Sequence, residues 1–224
     1  MPRKIDADWT FDAIEDEILF TRAALEADPD AADLAPQTDD WLGLVDDTRV
    51  RDRAARMAEA NANALRIIAN GRLDDACTHF GKRLAVETER TSARWKRFFT
   101  RPVSIWVSQR LASQISAVRA WLTITDDTVL EASREPLTRW SDAAHASLER
   151  TASSAQVRGA ARVAREQLAT DLTRERDGLE AALSARAAER GLSREWPSRF
   201  FRVASRASRP DADKPAVDGG DSPA

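Results

Sequence analysis

Apolar positions return every three or four residues through most of this chain, and the pattern runs unusually far without interruption. From Leu42, the residues Val45, Ala54, Met57, Ala64, Leu65 and Ile68 keep that spacing, and it resumes in Leu73, Ala76, Cys77, Phe80 and Leu84. One face of an α-helix has this period. No proline falls between Pro36 and Pro102, or between Pro136 and Pro197, and both stretches are rich in Ala, Arg, Leu and Glu, the strongest helix formers. The expected fold class is therefore all-α: an elongated helical bundle built on long antiparallel helices, with partial coiled-coil character.

The punctuation divides the pattern. A first helix is expected over 9–27, with Thr10 or Asp8 as its cap and Phe11, Ile14, Ile18 and Leu25 as its apolar stripe. Asp28-Pro29 ends it, and the Pro- and Asp-rich stretch 28–40 reads as a linker. Asp39 and Asp40 open a long helical segment. Asn70-Gly71 inside it favours a break or kink over one helix from about 40 to about 92. Ser104 is placed to cap a helix over 105–122 with the stripe Val107, Leu111, Ile115, Val118 and Leu122. Thr125-Asp126-Asp127 marks a boundary before a short helix over 126–133. Pro136 suits a first helical position and precedes the last long helix, whose second half reads Leu168, Leu172, Leu179, Leu183 and Ala187. That alternation of four and three is the coiled-coil signature. Gly191 is the natural cap at its end. The domain reading that follows is 1–38 as an acidic helix and linker, 39–203 as the bundle, and 204–224 as a tail whose composition is that of disorder.

One echo links two regions. Trp95-Lys96-Arg97-Phe98-Phe99 resembles Trp196-Pro197-Ser198-Arg199-Phe200-Phe201, and each follows a long proline-free segment. Two helix ends finished by similar aromatic plugs would explain it.

Charge changes this picture more than composition does. The net charge is −3, yet residues 1–50 carry 14 acids against four bases, a balance of −10, which leaves +7 on the remaining 174 residues. Residues 90–125 hold Arg90, Arg94, Lys96, Arg97, Arg101, Arg110 and Arg119 and no acid. Such polarity implies an acidic partner or an internal docking contact. The expected contact sets residues 1–38 on 90–125, in the same or a neighbouring subunit. The candidate partner-binding residues are Arg94, Trp95, Lys96, Arg97, Phe98, Phe99, Arg101, Arg110 and Arg119. Basic residues interleaved with aromatics also suit single-stranded nucleic acid or an anionic membrane surface. A sequence pI of about 5.6 argues against a dedicated nucleic-acid binder.

Little points to catalysis. The eight glycines form neither a Gly-x-Gly-x-x-Gly turn nor a phosphate loop, and no Gly-x-Ser-x-Gly elbow occurs. Asp75 precedes His79 by four residues and Asp142 precedes His145 by three, so each acid shares a helix face with its imidazole. A metal-binding bundle or enzyme using His79 and His145 is the alternative. The unlike spacings and the missing Glu partners of a di-iron site weigh against it, so no cofactor is expected. The single Cys77 excludes an intrachain disulfide, fits a reducing compartment and lies on an apolar stripe. No apolar run is long enough for a transmembrane helix, and the acidic first twenty residues do not resemble a signal peptide. The expectation is a cytoplasmic, non-enzymatic interaction or scaffold protein. It would self-associate through the Leu168, Leu172, Leu179 and Leu183 seam, with arginines at 162, 165, 174, 176, 186 and 190 on the wet side.

Overall fold

The helical period is realised almost without remainder. A computed structural model describes residues 4–202 as seven α-helices and two short 3-10 turns, with no strand among the described residues. The helices are α1 (Phe11–Ala27), α2 (Gln37–Glu87), α3 (Ala93–Lys96), α4 (Val103–Trp106), α5 (Leu111–Leu122), α6 (Thr128–Glu131) and α7 (Arg134–Arg190). The 3-10 turns cover Ala32–Leu34 and Trp196–Phe200. The chain is an all-α bundle in which α2 and α7 pack on one another. The proposed tail 204–224 lies outside the described residues.

Two compact units share these helices. The first joins the segment up to Asp47 with the segment from Glu166, and the second is Thr48–Arg165. These limits differ from the sequence boundaries at 38 and 203, because α2 and α7 each contribute to both units.

In the first unit, Thr10 caps α1, its hydroxyl accepting the Ala13 amide at 3.1 Å. The stripe Phe11, Ile14, Ile18 and Leu25 is buried against Trp41 and Val45 of α2 and against Leu168, Leu172, Leu179 and Leu183 of α7. Trp196, Phe200 and Phe201 close the same core. The leucine seam is thus covered by its own chain. Three acids of the arm find cations within this unit. Glu17 pairs with Arg176 at 2.9 Å, both buried, Asp33 with Arg186 at 2.5 Å, and Asp30 with Arg190. The arginines of α7 are interspersed with acids and do not stand out in sequence as a basic block. At the end of α7, Gly191 has φ +66° and the Leu192 amide donates to the Ala187 carbonyl at 2.9 Å, a Schellman closure.

In the second unit, α2 and α7 run antiparallel. Arg158 donates to Asp52 at 2.6 Å, while Arg83 donates to the Ala132 carbonyl at 3.1 Å. Buried positions recur every seven residues, at Thr48, Ala55, Ala62 and Ala69 on α2 and at Ser147, Ser154 and Ala161 on α7. Side chains this small let two helix backbones lie close.

Contrary to expectation, α2 continues through Gly71. Ala69, Leu73, Cys77, Phe80 and Leu84 keep one buried face across the glycine, and Asn70 donates to Asp74 at 3.0 Å over the same turn. Tertiary burial outweighs the roughly 1 kcal/mol that a mid-helix glycine costs.

The helix expected over 105–122 is two helices. Pro102, not Ser104, occupies the cap of α4, and a turn at 107–110 precedes α5. Gln114 secures that turn by donating to the Val107 carbonyl at 2.5 Å. Asp127 caps α6, accepting the amides of Val129 and Leu130 at 3.0 Å each. Arg134 then donates to the Leu122 and Ile124 carbonyls, satisfying the end of α5. Because α7 starts at Arg134, Pro136 falls third rather than first, still inside the turn whose amides have no helical acceptor.

The aromatic echo has a structural counterpart. Trp95, Phe98 and Phe99 belong to the core of the second unit, as Trp196, Phe200 and Phe201 belong to that of the first. Each unit has its own plug.

Candidate anion-binding pocket

The corner that follows α2 builds a pocket. Ser92 caps α3 by accepting the Trp95 amide at 3.1 Å, and Thr88 meets the Ser92 hydroxyl at 2.8 Å. That short helix sets Trp95 and Phe99 one turn apart with ring centroids 5.2 Å from each other. Phe99 is held edge-on by Trp106 and Trp121, at 5.6 Å and 5.1 Å. Pro102 then turns the chain so that Val103 and Val107 come back over α2.

Gly81 is what lets them do so. A Cβ there would stand 2.8 Å from Val103 Cγ2, closer than side-chain carbons approach, and a tight 3.3 Å from the Phe99 ring. The open cleft so formed has a volume of about 640 Å³. Trp95, Phe99, Val103 and Val107 form its apolar wall, with the hydroxyls of Thr78, Thr100 and Ser104 beside them.

Four cations line the same cavity: Lys82 from α2, Lys96 from α3, and Arg90 and Arg101 from the flanking loops. No carboxylate lines it. Among the described residues none of the four forms an ion pair, and Arg90 instead lies 5.9 Å over the Trp95 ring.

Three other cations of the basic stretch, Arg94, Arg97 and Arg119, are neutralised. Arg94 bridges Asp127 at 2.8 Å and Glu87 at 3.2 Å, which hold its guanidinium above its ordinary pKa. Arg97 pairs with Asp126 at 2.9 Å and Arg119 with Asp142 at 3.4 Å. Phe98 lies in the core, edge-on to Phe80 at 5.0 Å. Arg110 precedes α5 and does not line the pocket. Of the nine sequence candidates, then, the structure brings together Trp95, Lys96, Phe99 and Arg101. It adds Lys82, Gly81 and Thr78 from α2, which lie outside the basic run in sequence. The available signal was a glycine within a helical pattern, a mark of close approach.

The remaining candidate chemistry lies elsewhere. Cys77 is fully buried, and burial pushes its thiol far above the ordinary range, the opposite of an activated nucleophile. His145 meets Glu149 at 3.5 Å rather than Asp142, which is taken by Arg119. His79 is exposed beside Asp75 and Arg83 in a shallow depression. Among the described residues no three His, Cys, Asp or Glu side chains converge as a metal site would require. No described helix is long and apolar enough to cross a membrane. Compared with protein-family models, curated proteins and solved structures, the chain matches none.

Proposed function

We propose that this chain is a non-enzymatic α-helical binding module that takes an anionic partner at the corner formed by residues 78–107. One observation carries the reading. Lys82, Arg90, Lys96 and Arg101 surround one cavity with no carboxylate in its wall, while Arg94, Arg97 and Arg119 of the same stretch are all paired. Like charges gathered without counter-charges raise the local potential and attract anions.

The test is a titration of the intact protein with three anionic probes: polyuridylate RNA, polyglutamate and phosphatidylglycerol vesicles. At least one should bind, more weakly as salt rises. The Lys82→Glu/Lys96→Glu variant should lose that binding while keeping its helicity. Failure of every probe, together with failure of the amphiphile described below, overturns the reading.

Self-association is a second reading, now supported by a different surface. Val50, Met57 and Ile68 project from α2 more than half exposed, beside the seven-residue recurrence that suits coiled-coil pairing. Sedimentation at tens of micromolar, the order at which weak dimers persist, should show dimers. A Met57→Glu/Ile68→Glu variant should be monomeric, and a monomeric parent ends this reading.

A further inference from the structure

We infer that the pocket's own ligand is a small amphiphilic anion: an acyl or aryl body ended by a single phosphate or carboxylate. The inference rests on the anionic-partner reading and narrows it. The cavity is divided by chemistry. Its carbon lining, from Trp95, Phe99, Val103 and Val107, is buried or half-buried, whereas the four cations are long, exposed side chains. A polyanion would use the cations and leave the wall wet. An uncharged lipid would use the wall and leave four crowded cations without a counter-charge. A ligand with one anionic end and one apolar body satisfies both.

Size and ring geometry point the same way. About 640 Å³ lies within the range of roughly 300–1,000 Å³ typical of small-ligand sites. Strand binding needs aromatic faces open for bases to stack on. Here Trp95 and Phe99 are 4% and 1% exposed, packed on each other, with Phe99 also on Trp106, so they make a wall rather than a platform. Gly81 closes the base of that wall. Only a residue without a Cβ lets α2 meet Val103 and Phe99, and a mid-helix glycine otherwise costs the helix stability.

The experiment is calorimetric titration of the full chain with dodecyl phosphate below its micelle concentration, with dodecanol and inorganic phosphate as its two halves. Dodecyl phosphate should bind one to one with a Kd on the order of micromolar, and each half at least about tenfold more weakly. Lys96→Gln/Arg101→Gln should weaken binding by at least about tenfold. Val107→Trp, which fills the cavity, should weaken it without loss of helicity, and Arg97→Gln, which removes a cation paired outside the pocket, should leave it unchanged.

Equal affinity for dodecyl phosphate and either half would overturn the inference, as would full binding by the folded Val107→Trp variant. Phosphatidylglycerol vesicles separate the sources of the ligand. Vesicle binding that dodecyl phosphate competes away makes a lipid headgroup the source, and monomer binding without vesicle binding makes it a free metabolite. Vesicle, RNA or polyglutamate binding that depends on Lys82 and Lys96, with no response to dodecyl phosphate, overturns the pocket ligand and leaves the anionic-partner reading standing.

Discussion

Two aspartates in the second unit respond to pH in opposite senses. Asp127 accepts two helix amides and the Arg94 guanidinium. The Arg94 hydrogen bond, more than burial can oppose, holds its carboxyl below the ordinary range. A lowered folded pKa gives stability that is present above the unfolded value, about 3.9, and lost as pH falls through the folded one. Asp127→Ala should therefore cost about 1–2 kcal/mol at neutral pH and much less near pH 2 (roughly, below both values), read from urea midpoints. Asp74 behaves inversely. Burial pushes its carboxyl up, with the Asn70 hydrogen bond opposing, and its Oδ1 and the Gln114 Oε1 are buried acceptors without a donor. The native state holds that proton better than the unfolded chain does, so the contribution is present below the unfolded value and lost as pH rises through the folded one. Asp74→Asn supplies a donor and removes the charge. It should raise the urea midpoint at pH 7, by up to about 1 kcal/mol, and flatten the slope between about pH 4 and 7. Unchanged midpoints would show that Asp74 is adequately solvated.

At the scale of elements, two glycines of α2 that look alike in sequence are opposites in structure. Gly71 has nothing within 4 Å of where a Cβ would stand, whereas Gly81 has Val103 at 2.8 Å. Gly71→Ala should stabilise by roughly 0.5–1 kcal/mol, and Gly81→Ala should destabilise by about 1–3 kcal/mol and lower affinity at the pocket. Thermal denaturation of the two variants checks both signs, and matching signs would mean that Val103 yields freely. The same pair shows how far the elements were legible. Periodicity located α1, α2, α5 and α7, single residues marked Thr10 and Gly191 as helix limits, and Thr125-Asp126-Asp127 marked the boundary before α6 without singling out Asp127 as its cap. The continuity of α2 at Gly71 was not legible, because the force that holds the helix there is burial of Leu73 and Cys77 against residues far along the chain. Nor was the turn at 107–110, which depends on Gln114 reaching back to Val107.

At the scale of the whole molecule, the pairing of distant charges was the least legible feature. Glu17 and Arg176 are 159 residues apart, and neither stands out from its neighbours until α1 is laid along α7. The four pocket cations were partly legible, since Lys96 and Arg101 lie in the acid-free stretch, but Lys82 reaches them only through the packing of α2. What separates Lys96 from Arg97 is the neighbouring Asp126, not anything in the residue itself. Removing one member of a buried pair leaves the other charge without compensation, at about 3–5 kcal/mol. Glu17→Leu should destabilise the protein on that scale. The double variant Glu17→Leu/Arg176→Met should recover most of the loss in chemical denaturation, whereas additive losses would show that the pair is not coupled.

The alanine and serine seam of α2 and α7 also sets what the chain can tolerate as it mutates. Ala55, Ala62, Ser154 and Ala161 have room for little beyond a methyl or hydroxymethyl group, while Val50 and Met57, on the same helix as the first two, meet mainly solvent. In a library scored for surviving fold, the first four positions should admit little beyond Gly, Ala, Ser and Cys. The two exposed positions should admit nearly every residue except proline. Drift limited by the fold of the single chain would then be ordered inversely to side-chain size along this hairpin: the plainest residues would be the fixed points, and the bulky exposed ones would be held only by self-association.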